Sequence, residues 1–195
     1  MKNLNKWKVL KSTMVFNHQW CKVRQDEIEL PNGEIIDDYF VTVRPEVALI
    51  LPVTSNQEII LVRQYRHGAG EILLELPAGT FNPDEESPQA AAIRELKEET
   101  GYITDTVTQL AILYDNPVKD TNKINLFIAE NVTKAGQQEL DVTEEIDVVL
   151  IPVAAVMEKI ATGEICVCGT VAAIFLGLKF LSNTRHLPHL GSNGS

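Results

Sequence analysis

One stretch constrains this chain more than any other: LPAGTFNPDEESPQAAAIRELKEETGYI, from Leu76 to Ile103. Its second half reads as a single helix. Ser87 is a good N-cap, and Pro88 suits the first helical position, where its missing N–H costs nothing. Alanines and long unbranched side chains follow, and Gly101 stands where a left-handed stop belongs. Ala92, Ile93 and Leu96 make an apolar face. Glu95, Glu98 and Glu99 share another, because residues three and four apart are neighbours on a helix. Three crowded carboxylates repel one another unless a cation or Arg94 offsets them, and oxygen-rich clusters suit hard divalent cations. A solvated acidic face is the plain alternative. Against it, the acids lie late in the helix, where the macrodipole disfavours negative charge.

The order of these parts resembles the Nudix box: Gly79, Glu86, Arg94, Glu95, Leu96, Glu98, Glu99, Gly101 and Tyr102. In one respect the chain departs from it. Six residues separate Gly79 from Glu86, where the family usually has five. A register through Glu85 would spoil the spacing to Arg94, so the extra residue is read as an insertion in the Asn82-Pro83-Asp84 turn.

The resemblance implies metal-assisted hydrolysis of a phosphoanhydride. Glu95, Glu98 and Glu99 would hold Mg2+, or Mn2+ in its place, with the backbone carbonyl of Ala78. Arg94 would orient the glutamates, and Glu86 would tie the loop to the helix. Further segments, Arg63-Gln64-Tyr65-Arg66 and Leu74-Glu75-Leu76-Pro77-Ala78-Gly79, resemble the branch of ADP-ribose pyrophosphatases and other nucleoside diphosphate sugar hydrolases. Pro117 lies close to where ADP-ribose hydrolases carry a proline, although Val118 stands where a glycine usually follows. The branch takes its catalytic base from a loop beyond the box. Here that loop carries Glu144, with Glu145 as the alternative.

The branch also implies substrate contacts at Arg63, Arg66, Glu75 and Trp20. Guanidinium forks suit phosphate oxygens. On an alternating strand Arg63 and Arg66 point to opposite faces, so one of the two is expected at the substrate. Trp7 and Trp20 have the flat faces that stack on a base, although single aromatics in strands are core residues more often than not. In this branch the N-terminal strands are exchanged across a homodimer, which is the assembly expected here. ADP-ribose, cleaved to AMP and ribose 5-phosphate, is the leading substrate. Another sugar nucleotide such as GDP-mannose would use the same centre. A non-catalytic nucleotide-sensing module is the reading from a different class, and the complete set of box glutamates favours the enzyme.

Along the chain, residues 6–43 read as an antiparallel β unit, with Pro31-Asn32-Gly33 as its hairpin turn. Arg44-Pro45 marks a boundary. Val47 to Val53 is continuously apolar, as in a strand buried on both faces. Strands follow at Glu58–Tyr65 and Glu71–Leu76, and the chain then loops from Gly79 to Ser87. Beyond the helix come strands at Val107–Tyr114, Lys123–Ile128 and Ile146–Ile151. A polar acidic loop spans Lys134 to Glu145. Pro152 opens a helix to about Thr162, and Thr170–Leu181 reads as a mostly buried helix.

The expected class is α/β (α+β): a mixed sheet between helices, the α/β/α sandwich of the Nudix fold, plus an N-terminal antiparallel β subdomain. The expected divisions are 1–45, a 46–182 hydrolase domain and a flexible tail at 183–195.

Charge and cysteines bound the partners. With 17 basic and 27 acidic residues the net charge is −10, a poor surface for duplex nucleic acid or anionic membrane. An odd cysteine count, three, argues for a reducing cytoplasm. Cys166 and Cys168 read as small buried residues near a helix start. His18, His67, His186 and His189 show no ligand spacing. No phosphate-binding P-loop, dinucleotide fingerprint or nucleophile elbow is present.

Overall fold

The computed structural model describes residues 4–185. The chain divides into two compact units, Met1–Glu46 with Tyr114–Lys123, and Val47–Leu113 with Ile124–Ser195.

In the first unit β1 (Lys8–His18), β2 (Cys21–Glu29) and β3 (Ile35–Thr42) form a three-stranded antiparallel sheet in that order. Gly33 makes the turn at φ 85°, and its N–H donates to the Leu30 carbonyl at 2.9 Å. Segment 114–123 fastens to the end of β3. The Thr42 N–H donates to the Lys119 carbonyl at 2.7 Å, and the Tyr39 hydroxyl to the Val118 carbonyl at 2.7 Å. Arg44 pairs with Asp120 and Asp115. Trp7 packs edge-on against Tyr39 and remains half exposed, and Trp20 is 82% exposed at the β1–β2 turn. Neither tryptophan is a core residue.

The second unit is built on β4 (Glu46–Thr54), β5 (Glu58–Arg66), β6 (Glu71–Glu75), β7 (Ala78–Phe81), β8 (Tyr102–Ile103), β9 (Thr108–Tyr114), β10 (Lys123–Lys134) and β11 (Ile146–Pro152). Five run in the order β11-β5-β4-β10-β8; β6 adds to β5, β7 to β4 and β9 to β10. The sheet is mixed. β10 runs parallel to β4, whereas β5 is antiparallel to β4, β6 and β11. Helix α1 (Pro88–Thr100) covers one face. Helices α2 (Val156–Ala161) and α3 (Cys168–Arg185) cover the other.

Alternation along β4 explains the layering. Leu49, Leu51 and Val53 pack with Ile174 and Leu181 on one side, while Ala48 and Ile50 pack with Ala92 and Leu96 on the other. Both faces are buried, as the apolar run requires. Burying a side chain such as Leu96 contributes roughly 1.5–3 kcal/mol.

Three expectations about these elements need correcting. The segment after Pro77 is not all loop. Ala78–Phe81 pairs with β4, the Ile50 N–H donates to the Pro77 carbonyl at 3.1 Å, and Phe81 is buried. Strand β10 continues past Ile128 to Lys134 through a bulge at Asn131, φ 58°, which absorbs the break in the apolar pattern. Pro152 ends β11, and a short 3₁₀ turn precedes α2. Helix α3 packs as expected: Thr170, Ala173, Ile174, Gly177 and Leu181 are buried, Val171, Leu176, Leu178 and Phe180 lie half-buried against the core, and Phe175 is exposed.

That helix also carries Asn183–Arg185, at the start of the expected tail; residues 186–195 lie outside those described. Cys21, Cys166 and Cys168 are free and exposed, so the C-x-C pair is not buried. No helix among the described residues is long and apolar enough to cross a membrane.

Candidate active site

Helix α1 presents the acidic face. The Ser87 side chain accepts from the Ala90 N–H at 3.2 Å, worth about 1 kcal/mol to the helix. Gly101 stops the helix at φ 67°. Its buried side includes Ala91, Ala92 and Leu96, and also Glu95 and Glu99; Ile93 is only half-buried. Two carboxylates without water are costly unless something answers them, so a merely solvated acidic face is ruled out.

Arg94 is one answer. Its guanidinium donates to Glu86 through Nε at 3.1 Å and Nη2 at 3.0 Å, and through Nη1 to Glu95 at 2.7 Å and Glu98 at 2.9 Å. The bond to Glu86 is the largest influence keeping Arg94 charged, above the ordinary arginine range. Glu86 reaches Arg94 because Asn82 closes the inserted turn. Its carbonyl accepts from the N–H groups of Glu85 and Glu86, and its side chain from Asp84. Glu85 points to solvent.

Glu99, 3% exposed, accepts from the Ala78 N–H at 3.1 Å. Burial pushes its carboxyl up to about 8, and the negative charge of Glu95 adds to this; the Ala78 N–H opposes it. Burial likewise raises Glu95, with Arg94 working against the shift. Gly79 completes the floor. A Cβ there would stand 1.8 Å from Glu95 Oε1, so the carboxylate occupies the space a side chain would take.

A cleft of about 360 Å³ opens over Gly79 and Glu95, and the buried Glu99 is not part of its lining. Ala78, Gly79, Arg94, Glu95 and Glu98 line it from the box, and Glu144 from the segment between β10 and β11. Glu144 folds back so that its carboxylate accepts from the Asp141 N–H at 3.0 Å. Glu145 is exposed and is not part of the lining. Thr80, Glu139 and Asp141 also line the cleft and were not singled out from the sequence. The signal for the last two was the acid-rich composition of that loop, which also describes many ordinary surface turns.

The remaining candidates separate. Arg66 donates to the buried Glu75 through Nε at 2.9 Å and Nη2 at 2.6 Å, and its charge acts on the Glu99 carboxylate. Arg63 pairs with Asp147 at 2.6 Å, beside a separate groove between β6, β11 and α2. Trp20 belongs to the first unit.

The donor set fits a hard cation. Glu95, Glu98 and Glu99 each have one oxygen bound by Arg94 or Ala78, which leaves the second oxygen of each carboxylate outside those bonds. No three acidic, histidine or cysteine side chains among the described residues are gathered into a ready cage.

The chain belongs to the NUDIX domain family, whose model matches residues 43–165. Residues 7–42 match the nucleoside diphosphate sugar hydrolase N-terminal domain. An ADP-ribose pyrophosphatase of Bacillus subtilis is 30% identical over 181 residues, covering 92% of this chain and 96% of the relative. The ADP compounds hydrolase NudE of Escherichia coli is 28% identical, with the same two coverages, 92% and 96%. A crystal structure of an ADP compounds hydrolase superposes with a TM-score of 0.83 at 27% identity, over 96% of this chain and 100% of that one. The chain is therefore a Nudix hydrolase with an N-terminal β unit of the sugar-nucleotide branch.

Proposed function

We propose that this enzyme hydrolyses ADP-ribose to AMP and ribose 5-phosphate, with Mg2+ as the working cation and Mn2+ as a substitute. The observation that carries the reading is the cleft in which Glu95 and Glu98 of α1 face Glu144 of the loop over Ala78 and Gly79. The names of the relatives support the adenosine substrate.

Glu95, Glu98, Glu99 and the Ala78 carbonyl would hold a divalent cation, which would supply neutralisation of the diphosphate and a lower pKa for attacking water. The chain's residues do the rest. Arg94 keeps two of the glutamates aimed at the cleft. Glu144 takes a proton from the water whose oxygen bonds to phosphorus as the bridging P–O bond breaks. Arg66, fixed by Glu75, is better disposed than Arg63 to hold the phosphates. Trp20 offers an exposed face for the adenine.

A homodimer belongs to this reading. β1 is an edge strand and leaves Val9, Met14 and Phe16 exposed, the condition in which an edge takes a partner. Three exposed, unpaired cysteines suit a reducing cytoplasm.

The test is product analysis over a panel of nucleoside diphosphate sugars with Mg2+. Fastest turnover of ADP-ribose, giving AMP, is expected. Turnover confined to GDP-mannose or another sugar nucleotide would overturn the substrate and keep the centre.

A further inference from the structure

Gln138 lies at the root of the segment that carries Glu144, outside the cleft lining. Its side-chain nitrogen stands 2.7 Å from the Glu99 carbonyl oxygen and 3.0 Å from the Ile146 carbonyl oxygen. Both partners only accept, so the amide end facing them is the NH2 group, and its two protons serve the two bonds. The carbonyls belong to different elements. One is in the last turn of α1, on the residue whose carboxylate binds the Ala78 N–H. The other opens β11, two residues beyond Glu144.

The turn that carries Glu144 closes on itself. The Glu144 N–H donates to the Asp141 carbonyl at 2.9 Å, and the Asp141 N–H to the Glu144 carboxylate. Such a turn inherits its placement from its two ends. At one end the Glu139 N–H donates to the Glu98 carbonyl at 2.8 Å, and Gln138 binds Glu99 beside it. At the other end Gln138 alone of these groups reaches across to Ile146.

We propose that Gln138 is a positioning residue. Its amide sets the distance between the glutamate face of α1 and the loop that carries the base, and so fixes where the Glu144 carboxylate stands. The proposal rests on Glu144 being the general base. Water can replace an amide on two carbonyls near the surface, so loss of Gln138 loosens the loop without removing the fold. Small misplacements of a base are expensive: an error of about 1 Å costs about a hundredfold in rate.

The test compares the full-length wild type, Gln138→Ala, Gln138→Met, Glu144→Gln and the double variant Gln138→Ala/Glu144→Gln. Each is assayed with Mg2+ and ADP-ribose, or with whichever panel sugar nucleotide is turned over fastest. Gln138→Met keeps the length of the side chain and serves if the alanine variant does not fold. In the wild-type background, kcat is expected to fall about ten- to a hundredfold, with KM for sugar nucleotide and for Mg2+ within about twofold. In the Glu144→Gln background, Gln138→Ala is expected to cost nothing more, because the two act as one unit. An equal loss in both backgrounds, or an unchanged kcat in the single variants, overturns the positioning role while leaving Glu144 in place. Retention of kcat by Glu144→Gln removes the base assignment, and the proposal with it.

Discussion

The backbone N–H of Ala78 donates to the Glu99 carboxylate at 3.1 Å, joining the first residue of β7 to the last turn of α1. Two segments twenty-one residues apart thereby hold one buried acid at the Ala78 backbone.

A pH dependence follows. Glu99 titrates near 8 in the folded chain against an ordinary value of 4.5. Below 4.5 the carboxyl is protonated in both states, and the stability linked to this group is fully present. As pH rises from about 4.5 to about 8 the unfolded chain has already lost its proton, and that stability is lost. Metal binding must expel the same proton. Affinity for Mg2+ is therefore expected to rise with pH up to about 8, with proton release in calorimetry run in two buffers. A binding heat independent of buffer between pH 6 and 8 would contradict this.

Glu144 and Glu145 separate cleanly. Glu144→Gln is expected to lower kcat about 10²- to 10⁴-fold, the range for a general base, with little change in Mg2+ affinity. Glu145→Gln is expected to keep near wild-type kcat. Steady-state kinetics over a metal titration reads both, and the reverse pattern would move the base by one residue.

Gly79→Ala puts a methyl group into the Glu95 carboxylate. The atom in the way ends a flexible side chain, so the fold yields cheaply, by about 1–3 kcal/mol. Glu95 is pushed off its bond with Arg94. A folded protein with a melting temperature lowered by about 2–12 °C and kcat reduced at least about a hundredfold is expected, the loss typical of one misplaced electrostatic group.

Gly101→Ala strains the backbone instead. Its φ is 67°, and the Cβ would meet the Gly136 carbonyl oxygen at 2.4 Å. The left-handed conformation alone costs about 1–2 kcal/mol. For a chain of this length that lowers Tm by about 2–8 °C. Gly136 leads into Gln138, so kcat should fall along with Tm in thermal and kinetic measurements.

Much of the catalytic unit was legible because its signals are local. Ser87, Pro88 and Gly101 bound a helix from within the helix, the apolar run from Val47 to Val53 declares burial on both faces, and Pro31-Asn32-Gly33 declares a turn. What stayed hidden depends on distant partners. Ala78–Phe81 becomes a strand only because it pairs with a part of β4 that β5 leaves free. β10 runs on past Ile128 only because β4 carries it through the Asn131 bulge. The burial of Glu95 and Glu99 comes from packing that a charged helix face does not announce. Gln138 looked like one polar residue in a polar loop until its two carbonyl partners, eight and thirty-nine residues away, were seen together.

Phosphate release from ADP-ribose through a coupled phosphatase, for wild type and Glu99→Gln side by side with and without a chelator of Mg2+, tests the central claim most directly. Gln can still accept from the Ala78 N–H, so the variant should fold. Strong turnover by the wild type, abolished by the chelator and lowered at least about a hundredfold by the substitution, is the predicted result. Equal turnover by both proteins, or turnover that survives the chelator, would contradict a cation-assisted centre on this helix.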